Sequence, residues 1–364
     1  MKQYNLMSEE NSLAKEIKRL REKSLMHKKL FSKDKLNKPV SYWTKKERLK
    51  DQIGKEFTII LRTKGCKWAL ESGGCSMCGY IEDANIDDVD PEQIMNQFDY
   101  ALTNTINSIR SDTDNYILKI FNSGSFLDES EISKPVREYI YRKIAEIPEI
   151  SEFSMESRVE FITKEKLDEI NTYLPNKYVE IGMGLESVNH YIRNRYINKG
   201  LNYEDFLEKI ELCHHNNIGS KIYILFKPPF LNEQAAIDDC INSIKELIKL
   251  NVSTISINPC NVQKGTLVEY LWQTHRYRPP WFYSLFECFN KALTDKDLRK
   301  TRILCDPSGA GTKRGIHNCL RGSCNDKMKR YLRDFILHQD LSRLHQIEYE
   351  CICRKKYLLQ IAYI

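Results

Sequence analysis

The feature that most constrains this chain is a regular alternation of short apolar runs with amphipathic segments between residues 56 and 259. EFTIILRT (56–63) is apolar through its middle, as suits a strand buried on both faces. YILKIF (116–121), SEFSMES (151–157), KYVEIGMGLES (177–187), SKIYILF (220–226) and STISINP (253–259) repeat the pattern. Between them lie helical periodicities over about 91–109, 132–146, 163–174, 202–217 and 233–250. Asp90 is placed to cap the first of these helices, and Pro228–Pro229 ends the fifth strand. Six strands alternating with helices predict parallel βαβ units. The expected fold class is α/β, a partial (β/α)6 barrel. In such barrels functional side chains stand at the C-terminal strand ends.

Two regions flank the barrel. Residues 1–50 carry 15 Lys or Arg against 6 Asp or Glu, a net +9 in a chain of net +6, so the remainder is about −3. Residues 12–30 read as a charged helix with a thin apolar stripe, and Asn37–Lys38–Pro39 ends that segment. A basic segment on a near-neutral body points to a polyanionic partner, RNA or DNA first, or else to a solvated tail. Residues 281–295 look helical; beyond 300 the chain turns rich in Gly, Cys and Arg, then helical again at 326–347. The expected division is a basic, largely helical extension (1–50), the barrel (51–297) and a small Cys-rich, metal-binding region (298–364). No run of 18 apolar residues appears, so no transmembrane helix is expected. The N-terminus has no apolar segment of the secretory kind, and a cytoplasmic protein is expected.

Twelve cysteines sharpen the reading. A reducing cytosol disfavours a disulfide framework. Cys213, Cys240, Cys260 and Cys288 sit singly in apolar patterns and read as core thiols. The other eight lie in two clusters, which points to metal. In the first, Cys66, Cys75 and Cys78 are spaced Cys-x8-Cys-x2-Cys on the loop after strand one. Three thiolates hold three irons of a four-iron cube and leave the fourth open. Gly65, Gly73, Gly74 and Gly79 let the backbone wrap an inorganic core closely. A zinc site borrowing a distant ligand is the alternative, although zinc sites usually pair two Cys-x2-Cys units.

This loop resembles that of the radical SAM superfamily, in the branch that stretches the usual Cys-x3-Cys-x2-Cys. The resemblance implies a 4Fe–4S cluster on Cys66, Cys75 and Cys78. It also implies S-adenosylmethionine (SAM) chelated to the open iron by its amino and carboxylate groups, with Met77 near the adenine. One electron then splits SAM into methionine and a 5′-deoxyadenosyl radical. Tyr80, just past the loop, is grouped with the cofactor-binding residues. Ser123-Gly124-Ser125, after strand two, occupies the place of the superfamily's Gly-Gly-Glu segment, with the acid replaced. An ordinary turn is the alternative there. Glu156 and Arg158, after strand three, suit the ribose hydroxyls and the SAM carboxylate, unless they pair with each other. Glu186, after strand four, offers another acid, and Arg193 and Lys199 follow it.

In the tail, Cys319-x4-Cys324 and Cys351-x-Cys353 offer four thiolates, enough for a closed structural zinc site. His317 and Cys305 are possible substitutes, and a second iron–sulfur cluster is the rival. Gly309, Gly311, Lys313, Arg314 and Arg321 form a glycine-rich basic loop suited to phosphate or to the active-site mouth, or else a surface turn.

Trp43, IILRTKGCKWA, GGCSMCGY, NSGSFLD, MESRVEFIT, GMGLES, INKG, KPPFLNE and HNC occur in this order across most of the chain. Together they resemble the radical SAM subunits of archaeosine synthase, themselves similar to the elongator catalytic subunit and to tRNA methylthiotransferases. The resemblance implies a tRNA substrate and a partner subunit that attaches lysine to 7-cyano-7-deazaguanine at position 15. It further implies radical cleavage of the lysine carbon–nitrogen bond to leave archaeosine, with an external electron donor. The Cys319-x4-Cys324 spacing departs from the tighter pair expected there. The alternatives are another radical SAM enzyme acting on RNA, such as a methylthiotransferase, and a zinc-bearing RNA-binding protein without catalysis.

Overall fold

The computed structural model describes residues 12–345, 347 and 351–362. The strands are β1 (Ser41–Arg48), β2 (Ile53–Ile60), β3 (Tyr116–Phe121), β4 (Ile150–Glu156), β5 (Tyr178–Glu186), β6 (Gly219–Phe226), β7 (Thr254–Pro259) and β8 (Arg302–Leu304). The helices are α1 (Ser12–Leu25), α2 (Lys33–Leu36), α3 (Lys67–Ser72), α4 (Pro91–Arg110), α5 (Lys134–Ala145), α6 (Lys164–Tyr173) and α7 (Tyr203–His215). They continue with α8 (Glu233–Lys249), α9 (Leu267–Gln273), α10 (Phe282–Ala292), α11 (Asp295–Leu298), α12 (Gly322–His338), α13 (Ser342–His345) and α14 (Cys353–Ala362). Among the described residues, no helix is long and apolar enough to cross a membrane.

The six expected strands are β2 to β7, parallel and in sequence order, in a curled half-barrel sheet. Two strands extend it. β8 adds in parallel to β7. β1 adds antiparallel to β2 in full register from Ser41↔Ile60 to Arg48↔Ile53. Within the extension expected to be largely helical, the stretch 41–48 is a strand, and SYWTKKER is polar enough to line a sheet edge. Trp43 Nε1 donates to Glu56 at 2.7 Å across that pair. Asp90 caps α4 as expected and accepts from the N–H of Glu92. Residues 1–11 of the basic extension lie outside the described residues.

Period-two alternation sorts each strand's side chains. Ile59, Leu118, Phe153, Ile181, Ile222 and Ile255 point outward and are fully buried beneath the helices. Cys213, Cys240, Cys260 and Cys288 are buried as expected. The inner face is charged. Lys119 Nζ meets both Glu47 and Glu56 at 2.6 Å. Arg302, on β8, reaches Glu152 on β4 at 3.1 Å and Glu180 on β5 at 2.7 Å. β8 neighbours neither β4 nor β5, so the pairs bridge the concave side of the sheet. Removing one partner of such a buried pair leaves an uncompensated charge and costs about 3–5 kcal/mol.

α1 is not a solvated tail. Leu13, Ile17 and Leu20 join a small core with Ile192, Tyr196, Ile197, Val262 and Val268. That core sits beside the loop after β2.

Candidate active site and candidate metal centre

β2 delivers the chain to the Cys66–Cys78 loop at the C-terminal edge of the sheet, where the strand pattern placed it. α3 forms inside the loop and ends on Gly73, whose φ is +82°. A β-carbon at Gly73 would stand 2.6 Å from the Lys18 backbone, so only glycine allows α1 to lie this close. Burial pushes all three thiols up, Cys78 to about 12. Free of metal they are protonated, so loading a metal releases protons.

Arg21, on α1, is a site residue that sequence reasoning missed. Its side chain is nearly fully buried, and Nε donates to the carbonyl of Gly73 at 3.2 Å. Nη2 donates to the carbonyl of Cys78, so one guanidinium ties the middle of the loop to its end. Nη1 is buried without a partner among the described residues. The Arg21 charge acts on Cys75 and Cys78, favouring their thiolate forms. Nothing in the spacing of a charged helix signals that contact.

The other strand ends converge on this loop. Trp68 Nε1 donates to the carbonyl of Asn198, and Asn198 Nδ2 donates to that of Gly74, both at 2.8 Å. Arg158 lies over Trp68 and donates to the carbonyls of Lys199 and Gly200. Its ion-pair partner is Glu160, not Glu156. Lys199 Nζ pairs with Glu186 at 2.9 Å, and the missing β-carbon of Gly184 leaves room for that ammonium. Glu186 itself adopts φ +67°, a left-handed conformation uncommon outside glycine. Arg193 is not a mouth residue. It is fully buried and braces its own loop through the carbonyls of Ser187, Val188 and Leu201.

Met77 packs against the α1 core, and Tyr80 is exposed, its hydroxyl bonded to Gln263 and Ser308. Ser123 Oγ donates to the Tyr80 carbonyl at 2.9 Å, and Ser125 Oγ accepts from the N–H of Arg158 at 3.1 Å. The acid missing from the Ser123–Ser125 turn is supplied by Glu131. Its carboxylate accepts from Ser125 N–H, Thr63 Oγ1 and Asn122 Nδ2 at 2.8, 2.8 and 2.9 Å. A β-carbon on Gly124 would meet Glu131 Oε1 at 1.7 Å. Burial raises the Glu131 carboxyl to about 7.

Below these groups the lumen holds polar atoms without partners. Thr58 Oγ1 and Glu180 Oε1 are buried and unpaired among the described residues, and the Tyr223 hydroxyl is directed at the Glu156 carboxylate. Glu156 and Tyr223 both line the space above Gly182. Lys221 is 3% exposed, and burial together with Lys119 lowers it to about 8. Unpaired buried polar groups are costly unless a ligand or water satisfies them.

These residues fit the cluster and SAM that the sequence resemblance implies. Three soft sulfur donors stand on one loop. The glycines Gly65, Gly73 and Gly74, all at positive φ, open its backbone. Ser76 Oγ and Arg21 Nη1 are buried beside the thiols without partners among the described residues. Unsatisfied polar atoms line the adjoining lumen.

The tail forms a second centre. The sulfurs of Cys319, Cys324, Cys351 and Cys353 all lie within 4.8 Å of one another. The Cys319–Cys351 and Cys324–Cys353 pairs are each 3.8 Å apart. Four sulfurs at about 2.3 Å from one tetrahedral ion stand about 3.8 Å apart. Tyr283 Oη lies 3.2 Å from Cys353 Sγ, and Asn318 Nδ2 donates to Cys324 Sγ. His317 and Cys305 stay outside. His317 Nδ1 is 2.8 Å from the Gly315 carbonyl, and Cys305 is buried in the main core. In the basic loop Arg314 is committed to Glu269 and to the carbonyl of Val262, whereas Lys313 and Arg321 are exposed.

Residues 60–240 match the radical SAM superfamily. Archaeosine synthase subunit beta of Methanosarcina acetivorans is 36% identical over 325 residues, 89% of this chain and 91% of that protein. Archaeosine synthase subunit beta of Thermococcus kodakarensis is 35% identical over 323 residues, 88% of this chain and 97% of that protein. The solved structure of Methanocaldococcus infernus Elp3 with an N-terminal deletion shares 14% identity at a TM-score of 0.48, covering 68% of this chain and 60% of that one. The chain belongs to the archaeosine synthase subunit beta family of the radical SAM superfamily.

Proposed function

We propose that this protein is a cytoplasmic radical SAM enzyme of tRNA modification. With a partner subunit it converts the lysine adduct of 7-cyano-7-deazaguanine at position 15 of tRNA to archaeosine, by radical carbon–nitrogen bond cleavage. The observation that carries this reading is identity of 35–36% to two archaeosine synthase beta subunits across about nine-tenths of the chain.

Cys66, Cys75 and Cys78 hold a 4Fe–4S cluster in this reading. When bound, cluster and SAM supply a primary carbon radical able to take hydrogen from an unactivated C–H bond. The chain's own residues position and shield it. Arg21 ties the loop and stabilises its negative charge. Met77, Tyr80, Ser123, Gly124, Ser125, Glu156, Arg158 and Glu186 surround SAM. Tyr223 and Lys221 in the lumen suit the charged amino-acid end of the lysine adduct. The tail quartet holds zinc in a structural role, since its sulfur spacing suits one tetrahedral ion.

The test supplies anaerobically reconstituted protein with SAM, a reductant and lysine-modified tRNA. Release of 5′-deoxyadenosine together with archaeosine supports the reading. Release of 5′-deoxyadenosine without archaeosine, or incorporation of sulfur into the RNA, overturns the substrate assignment.

A further inference from the structure

The loops after β5 and β6 carry an aromatic step that the reaction chemistry does not use. Tyr191 is 58% exposed and Phe230 47% exposed, although both are large and apolar. Tyr196 stands between them. Its ring centroid is 5.2 Å from that of Tyr191, edge-on at 83°, and 5.2 Å from that of Phe230, tilted by 55°.

The backbone holds these rings in place. Tyr196 ends a π-helical turn, Ile192–Tyr196, a form often found at functional sites. Phe230 follows Pro228–Pro229 and adopts φ +71°, and Lys227 adopts φ +61°. Left-handed conformations at a lysine and a phenylalanine cost free energy and persist only where the surroundings impose them. Here they are imposed. The Lys227 carbonyl accepts from Tyr277 Oη at 2.9 Å, and Leu231 is tucked against the α1 core. An exposed ring held by a strained, anchored loop is poised for a contact outside the chain.

The neighbourhood indicates which contact. The step lies at the barrel mouth, one turn of chain from Asn198 and Lys199, which touch the cysteine loop and Glu186. α1 packs on the same turn through Leu13, Ile17 and Leu20, and turns Lys15, Lys18, Arg19 and Lys23 to solvent. Arg19 is held by Glu16, which leaves Lys15, Lys18 and Lys23 exposed on the helix that packs against the Tyr196 turn. Aromatic faces flanked by cations suit unstacked bases with their phosphates.

We propose that Tyr191, Tyr196 and Phe230 form a stacking step for unpaired RNA bases at the barrel mouth, with the exposed lysines of α1 meeting the adjoining phosphates. The proposal rests on the tRNA reading above and adds the surface that receives the opened strand. A buried base must leave its stack to be modified, and stacking on protein rings offsets that cost.

The test uses the full chain with its metals. Fluorescence anisotropy compares a short single-stranded RNA, a blunt duplex of the same sequence and tRNA. Tyr191→Ala and Phe230→Ala should each weaken single-strand binding by about tenfold and leave duplex binding unchanged. Phe230→Trp should retain wild-type affinity, because it keeps a ring. Lys15→Gln with Lys18→Gln should flatten the salt dependence by about one to two in log–log slope, which the aromatic variants should not. Iron content and melting temperature serve as the folding check. Wild-type affinity in the alanine variants overturns the proposal, as does a Phe230→Trp protein no better than Phe230→Ala. A loss confined to binding of the partner subunit also overturns it. If the wild type binds no RNA, the tRNA reading falls too. If it makes archaeosine while the alanine variants bind RNA normally, only this surface falls.

Discussion

Glu131 Oε1 accepts the backbone N–H of Ser125 at 2.8 Å, across the turn that follows β3. The turn reads as one that lacks its acid. The acid is present, six residues downstream, folded back beneath Gly124. Its bonds from Ser125 N–H, Thr63 Oγ1 and Asn122 Nδ2 fix the turn to the end of β2 and the loop after β3.

That geometry predicts a pH dependence. The folded Glu131 carboxyl is raised to about 7 from its ordinary value of 4.5. Between those values the folded state keeps a proton that the unfolded state has lost, so stability falls as pH rises. The contribution is fully present below about pH 4.5 and is lost above about pH 7, an effect of about 3 kcal/mol. Glu131→Gln should flatten this part of the profile. Urea midpoints from pH 5 to 8 for both proteins provide the measurement. Parallel profiles would show that Glu131 is ionised throughout.

The cysteine loop gives the sharpest result. Ala at Cys66, Cys75 or Cys78 should each abolish 5′-deoxyadenosine formation, because an open iron needs all three thiolates in place. Quantifying that product by chromatography decides it. Activity retained in any one variant would be incompatible with the assignment.

Arg21→Ala tests the latch from α1. The variant loses two hydrogen bonds to loop carbonyls and one positive charge beside Cys75 and Cys78. Buried charged hydrogen bonds contribute about 1.5–3 kcal/mol each. The cluster should bleach faster in air, and its reduction midpoint should fall, since less positive charge offsets the added electron. Arg21→Lys should restore part of the midpoint and little of the retention, because ammonium lacks the fork that spans both carbonyls. An unchanged midpoint in Arg21→Ala would remove the electrostatic role.

The tail quartet is tested by metal counting. Purified protein should contain about four irons and one zinc. Cys351→Ala should lose the zinc, keep the iron and melt lower, because a structural metal contributes folding free energy. About eight irons would indicate a second cluster instead. Zinc and melting unchanged in Cys351→Ala would leave the site without a ligand role for that residue.

The lumen ion pairs predict asymmetric damage. Arg302→Ala strands the carboxylates of Glu152 and Glu180 without the guanidinium they share, at about 3–5 kcal/mol. Glu180→Ala should cost less than Arg302→Ala, as measured by urea unfolding, because Arg302 keeps Glu152 as its partner. Equal costs would show that the charges are already screened by water.

What could be read from the amino acids follows from local periodicity and local spacing. Short apolar runs, separated by amphipathic helices, identify β2 to β7, and the cysteine spacing separates two groups of thiols from the core cysteines. Those patterns depend on neighbours in the chain. β1 escaped because its charged residues mask an edge strand whose partner, β2, supplies the pairing. Glu131, Arg21, Lys221 and Tyr223 escaped for a related reason. Arg21 meets the cysteine loop across more than fifty residues of sequence, and the inner face of the sheet carries charges that look solvent-exposed until the strands curl. Sequence alone therefore determined the barrel and its two sets of thiols, because each is written in adjacent residues. Only the tertiary structure decided which acid serves the Ser123–Ser125 turn, which arginine closes the loop and which rings stand at the mouth. Those assignments depend on through-space burial and electrostatics between segments that the chain order keeps apart.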